Sequence, residues 1–156
     1  MTNNHDMPRV TAYLDKEAIK LVNAFIFTMP GVPFLYYGDE IGMRYQKGIV
    51  SMEGGYSRTG SRTPIQWNSG KNLGFSTSDE PYLAVDKSAD APTVENQKDD
   101  PDSIYKVVTD IIALRHKYDD LKGTVSLNLC MKKAKFRLHT REATSLCTST
   151  PSVKVQ

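Results

Sequence analysis

Apolar positions recur at helical spacing in two stretches of the chain and run without a break in a third. Between Asp15 and Met29, Ala18, Ile19, Leu21, Val22, Ala24, Phe25 and Ile26 form a belt wider than one stripe, which predicts a helix packed on more than one side. Asp15 stands where a side chain caps open amides, and Glu17 lies at the positive end of the helix dipole. Met29-Pro30-Gly31 stops this helix, and Val32-Pro33-Phe34-Leu35-Tyr36-Tyr37 follows as a continuous apolar run, predicting a strand buried on both faces over 32–37. A second helix is predicted over 101–118, with Asp100 as its cap, Pro101 at its first position and Ile104, Val107, Val108, Ile111 and Ile112 on its apolar side. Between Gly38 and Lys98, roughly sixty residues rich in Gly, Ser, Thr, Asn and Asp follow neither period, a length that a compact domain seldom carries unless the loop has a function or the rest of its scaffold is missing. A strand apolar on both faces needs neighbours, and apolar helices need a sheet beneath them, so the pattern is that of the end of a larger α/β repeat.

Composition narrows the function classes. The chain has 156 residues, 39% hydrophobic and 24% charged, with a mean hydropathy of −0.45. No apolar run approaches the roughly 18 residues of a membrane span, and Met1 to Arg9 lack the basic start and apolar stretch of a signal peptide, so no membrane partner and a cytoplasmic chain are expected. Residues 1–123 hold 14 Lys/Arg against 17 Asp/Glu, a balance of −3, whereas residues 124–156 hold 6 against 1, a balance of +5. That basic tail is interrupted by apolar residues and carries no recognisable motif, so nucleic acid is not expected as a partner. Cys130 and Cys147 form no CxxC pair and have no His cluster beside them, so neither a metal site nor a cofactor is expected.

Candidate chemistry lies near the start, in Asn4-His5-Asp6 with Arg9 shortly after. A carboxylate beside an imidazole and a guanidinium can stabilise developing positive charge and hold sugar hydroxyls, but taken in isolation the commoner reading of these residues is a capped turn with a surface salt bridge. Asp39 and Glu40 read as structural acids, pairing with the nearby Arg44.

Three blocks then carry a resemblance. Asn4-His5-Asp6-Met7-Pro8-Arg9, Met29-Pro30-Gly31-Val32-Pro33-Phe34-Leu35-Tyr36-Tyr37-Gly38-Asp39-Glu40-Ile41-Gly42-Met43 and Ser61-Arg62-Thr63-Pro64-Ile65-Gln66-Trp67 resemble glycoside hydrolase family 13, the α-amylase family, the third block pointing to its α-glucosidase and oligo-1,6-glucosidase branch. The resemblance covers about residues 1–122 and implies an α/β fold, part of a (β/α)8 TIM barrel from the end of the seventh strand through the eighth helix. In barrel terms, residues 15–29 become the seventh helix, 32–37 the eighth strand, 38–100 the eighth loop and 101–118 the eighth helix.

Retaining hydrolysis of α-glucosides in this family uses a nucleophilic Asp, a Glu acid/base and a second Asp that grips glucose hydroxyls in the oxocarbenium-like transition state. The resemblance implies that Asp6 is this transition-state stabiliser, that His5 hydrogen-bonds the glucose, and that Arg9, Arg62, Gln66 and Trp67 are substrate-binding, with core packing as the alternative for Trp67. The partner implied is an α-glucan or oligosaccharide. The family nucleophile, general acid and fourth-strand arginine lie upstream of the block containing Asp6, so the resemblance implies a barrel fragment, Met1 being an internal methionine or the edge of a gene fragment, and a chain inactive by itself. A transglycosylase or isomerase on the same barrel, such as a trehalose synthase, is an alternative, as is a non-catalytic relative serving as a binding module.

Residues 123–156 stand in place of the family's β domain. Their composition shifts abruptly, with nine Ser/Thr after Gly123. A shifted reading frame permits an acidic string with Phe, Val and Tyr runs separated by turn residues, so an out-of-frame tail without packed structure is expected there.

Overall fold

The computed structural model describes residues 2–122 and the strand residues 127–132 and 135–140. Helix α1 spans Lys16–Thr28, α2 spans Val94–Gln97 and α3 spans Ile104–Lys117; strands β1 (Leu127–Lys132) and β2 (Lys135–Thr140) follow.

Helix α1 begins as its sequence requires, with Asp15 Oδ1 accepting a bond from the Ala18 amide at 2.8 Å. Ile19 is buried against Val10, Ile104 and Val108, and Leu14, Leu35 and Ile112 pack around this cluster, so the core lies between α1 and α3. Two polar ties hold the same pair of helices. Asp102, next to the cap of α3, receives Lys16 Nζ and Lys20 Nζ, each at 2.6 Å. At the other end, Arg115 Nη1 donates to the carbonyls of Phe27 at 2.7 Å and Met29 at 3.0 Å, and its Nη2 donates to Gly31 O. These bonds satisfy carbonyls that the end of α1 leaves open.

The cap of α3 is Ser103, not Asp100: Ser103 Oγ accepts the Lys106 amide at 3.0 Å. Asp100 instead turns the chain locally, its Oδ1 accepting the Asp102 amide at 2.9 Å, and Pro101 sits in that turn before the helix. Helix α2, not foreseen from the sequence, is one turn held by a reciprocal cap between Thr93 and Asn96.

The strand expected over 32–37 does not form. Residues 32–36 belong to no regular element, and the two described strands pair only with each other. An extended run becomes a strand only when a neighbour takes its amides and carbonyls, and without one here Val32 and Phe34 are 78% and 65% exposed. Leu35 turns onto the α1–α3 core, while the phenol groups of Tyr36 and Tyr37 donate to the carbonyls of Ser61 and Thr63 at 3.1 and 2.7 Å.

In the tail only two strands are described. β1 and β2 form an antiparallel pair whose register sets Leu129 opposite Leu138 and Met131 opposite Phe136, alternating with Asn128 opposite His139 and Cys130 opposite Arg137. This alternation has the period that a hairpin needs, weak as it is in the sequence. Residues 123–126, 133–134 and 141–156, with Cys147 among them, lie outside the described residues.

Candidate functional site

The turn at Asn4–Met7 is short and polar. Asn4 Oδ1 accepts the Asp6 amide at 2.8 Å, and the Met7 amide bonds back to Asn4 O at 3.3 Å, so His5 and Asp6 stand at the tip with their side chains largely in solvent. His5 Nε2 lies 3.3 Å from Asp6 Oδ2.

The long segment after Gly38 closes over this tip. Its 3₁₀ turn at Tyr56–Ser61 brings two guanidinium groups to Asp6 Oδ1: Arg58 Nη1 at 3.3 Å and Arg62 Nη2 at 2.8 Å. Arg62 Nε also donates to His5 O at 3.1 Å, and Ser61 Oγ donates to Met7 O at 2.5 Å. Partial desolvation pushes the Asp6 carboxyl up, but the Arg62 bond, the neighbouring His5 and Arg58 together outweigh it and hold the carboxyl below its usual range. Asp6 is thus a fixed anion whose three partners are groups able to carry positive charge.

Beneath the turn the arrangement differs from expectation. Arg9 has no exposed surface; its Nη1 donates to Tyr37 O at 2.8 Å and Asp39 Oδ1 at 3.2 Å, with its guanidinium carbon 4.9 and 5.1 Å from the Tyr36 and Tyr37 ring centres. A side chain so enclosed cannot reach a ligand in this structure, and Arg9 stands apart from the exposed cluster. Asp39 pairs with Arg9 rather than Arg44, which bonds Asp90 through Nη2 at 2.7 Å. The cause is the tight turn at Gly38, which aims Asp39 inward while Arg44 emerges on the surface. Burial raises the Asp39 carboxyl above its usual value against the opposing pull of Arg9, Asn3 and Thr2, and burial raises Glu40 likewise.

Gln66 is buried and spends its amide on Pro92 O, bracing the loop. Trp67 is half exposed, its backbone amide bonded to Leu73 O at 2.8 Å, and no hydrogen bond joins either residue to His5 or Asp6. The structure therefore brings together His5, Asp6 and Arg62 of the foreseen residues and leaves Arg9, Gln66 and Trp67 outside. Sequence reasoning missed Arg58, which belongs to no motif and is marked only by standing one turn ahead of Arg62. Among the described residues no three His, Cys, Asp or Glu side chains are placed to hold a metal ion, and no helix is long and apolar enough to cross a membrane.

Comparison with known proteins gives this geometry a context. The family described as "Alpha amylase, catalytic domain" matches residues 1–123. "Probable oligo-1,6-glucosidase 2" of Bacillus subtilis is 36% identical over 163 residues, covering 81% of this chain and 28% of the relative. The trehalose synthase/amylase TreS of Mycobacterium tuberculosis is 37% identical over 110 residues, covering 67% of this chain and 17% of its own, and the amino acid transporter heavy chain SLC3A1 of Mus musculus is 30% identical over 116 residues, covering 73% and 17%. Among solved structures, a trehalulose synthase MUTB mutant soaked with trehalulose superposes with a TM-score of 0.74 at 23% identity, over 90% of this chain and 32% of that one. The chain spans less than a third of the length of these relatives.

Proposed function

We propose that this chain, which belongs to the α-amylase family of glycoside hydrolases and to its α-glucosidase-like branch, carries the part of an α-glucoside hydrolase that grips the glucose ring at the scissile bond. Asp6 is the transition-state stabiliser and His5 its companion on the glucose hydroxyls. Arg62 and Arg58 keep Asp6 ionised and aimed, and Trp67 offers an aromatic face further along the loop. The observation that carries this reading is the bond from Arg62 to Asp6, with the same guanidinium holding the His5 carbonyl.

An ionised carboxylate at this position accepts bonds from two neighbouring sugar hydroxyls and counters the positive charge that develops as the glycosidic bond breaks. In this reading the nucleophile and general acid are supplied by other strands of the barrel, and the isolated chain is inactive. The remainder, through α3, forms the closing part of that (β/α)8 barrel.

The test is made in two parts. In an enzyme carrying this segment within its complete barrel, Asp6→Asn lowers kcat by about 100-fold or more on maltose or isomaltose, as loss of one electrostatic stabiliser does elsewhere; a rate within threefold of wild type overturns the assignment. The isolated chain is incubated with maltose, isomaltose and an aryl α-glucoside, and turnover that survives Asp6→Asn shows the chemistry to lie elsewhere.

The TreS relative supports a second reading, an isomerase or transglycosylase using the same grip, and the products formed from maltose separate it from hydrolysis. The transporter heavy chain relative supports a third, a non-catalytic barrel serving as a binding module; the assembled Asp6, His5 and Arg62 favour the catalytic reading over it.

A further inference from the structure

We propose that Asp39 is a positioning residue for Asp6, closing the base of the Asn4–Met7 turn by bonding Thr2 and Asn3 before the turn and Arg9 after it. The inference rests on reading Asp6 as the group that meets glucose, and it concerns how Asp6 is aimed.

The turn has little of its own to fix it. Its internal bonds are the Asn4 side-chain bond to the Asp6 amide and the longer Met7 to Asn4 backbone bond, and its tip is exposed. Below it, Asp39 uses both carboxylate oxygens: Oδ2 accepts Thr2 Oγ1 at 3.2 Å, and Oδ1 accepts Asn3 Nδ2 at 3.3 Å and Arg9 Nη1 at 3.2 Å. One carboxylate thus spans the two ends of the loop. From above, Ser61 and Arg62 hold the carbonyls of Met7 and His5, so the turn is clamped on both sides.

Asp39 owes its own placement to Gly38, whose φ of +84° begins the turn. A Cβ on Gly38 would come within 2.2 Å of Met43 Sδ and 3.1 Å of Arg9 Nη1, so only glycine lets this backbone approach the guanidinium.

Stability is a weak explanation for the pair. Burying two charges costs desolvation that their attraction seldom repays, and here Arg9 Nε, Arg9 Nη2 and Asn3 Oδ1 are buried without partners among the described residues. An apolar pair of similar volume would serve a core at least as well; a carboxylate with three directed bonds supplies registration of the loop ends, which an apolar pair does not.

The experiment follows the Asp6 carboxyl by carbon-detected NMR over pH in the full chain, as wild type and as Asp39→Asn, with the methyl signals of Ile19 and Val108 reporting the α1–α3 core. Asp6 faces His5, Arg58 and Arg62, and loosening the turn weakens these contacts, so its titration midpoint is expected to rise while the methyl signals hold. The sign discriminates, because loss of the Asp39 charge alone would lower the midpoint. If Asp39→Asn disperses the methyl signals poorly, Asn3→Ala and Thr2→Ala, which spare the ion pair, carry the test with the same expected rise. A midpoint unchanged or lowered in the folded variants overturns the proposal. No sugar enters the measurement, so its failure is separate from failure of the glucose-binding reading.

Discussion

Arg62 Nη2 lies 2.8 Å from Asp6 Oδ1 across 56 positions of sequence, while Nε of the same side chain holds the carbonyl of His5. Only a planar fork makes both bonds together. Arg62→Ala is therefore expected to raise the Asp6 titration midpoint towards its usual value, and Arg62→Lys to recover part of the shift. The sign follows from the depressed carboxyl: its favourable ionisation persists above the unfolded value of 3.8 and is lost as pH falls through the folded one. An NMR titration in which Arg62→Ala leaves the midpoint in place would refute the coupling.

The small core makes α1 and α3 interdependent. Ile19→Ala removes a buried side chain between them and is expected to cost about 2–4 kcal/mol, against less than about 0.5 kcal/mol for the exposed Leu21→Ala on the same helix. Urea denaturation followed by circular dichroism reads both, and equal costs would show that the core is misplaced.

Acid acts on a different tie. Hydrogen bonds from Lys16 and Lys20 hold the Asp102 carboxyl down at about 2, so the tie to α1 is intact above about pH 4 and is lost as pH falls towards 2. Asp102→Asn is expected to be less stable than wild type near neutrality, with the difference closing across that window. A gap in thermal midpoint that stays constant from pH 6 to pH 2 would count against this tie.

An exposed apolar run outside any sheet invites association with another chain. Val32 and Phe34 are exposed there, and replacing both with lysine is expected to reduce concentration-dependent association, since charge on an open edge blocks strand addition. Sedimentation velocity at several concentrations checks this, and an unchanged distribution would place the sticky surface elsewhere.

Gly38 and Gly48 both have positive φ, but a Cβ meets Met43 and Arg9 at the first and open space at the second. Gly48→Ala is expected to cost about 1–2 kcal/mol for its backbone alone, and Gly38→Ala clearly more. Equal denaturation midpoints for the two variants would contradict this packing.

The features legible in the sequence were those decided locally. Helix α1 lies within one residue of the expected bounds, because Asp15 and Met29-Pro30-Gly31 act on adjacent backbone. The cap of α3 moved to Ser103 because Asp100 had a competing local bond available, to the Asp102 amide. The run at 32–37 has the composition of a buried strand, but strand formation depends on a neighbour that composition does not reveal. At the site, His5, Asp6 and Arg62 stood in motifs; the contact of Arg58 with Asp6 arises from a loop closing over 52 positions, and the enclosure of Arg9 from a partner 30 positions away.

The clasp of Arg115 on the carbonyls at the end of α1 has a consequence for the order of biosynthesis. Arg115 follows Phe27 by 88 positions, so a nascent chain extends for on the order of ten seconds between the emergence of the helix and that of its closing residue. During that interval the carbonyls of Phe27 and Met29 have only water, while those of Phe25 and Ile26 are already held by the Met29 amide. The bonds that tie Met29-Pro30-Gly31 to the rest of the fold are thus made late, once α3 has been translated as far as Arg115.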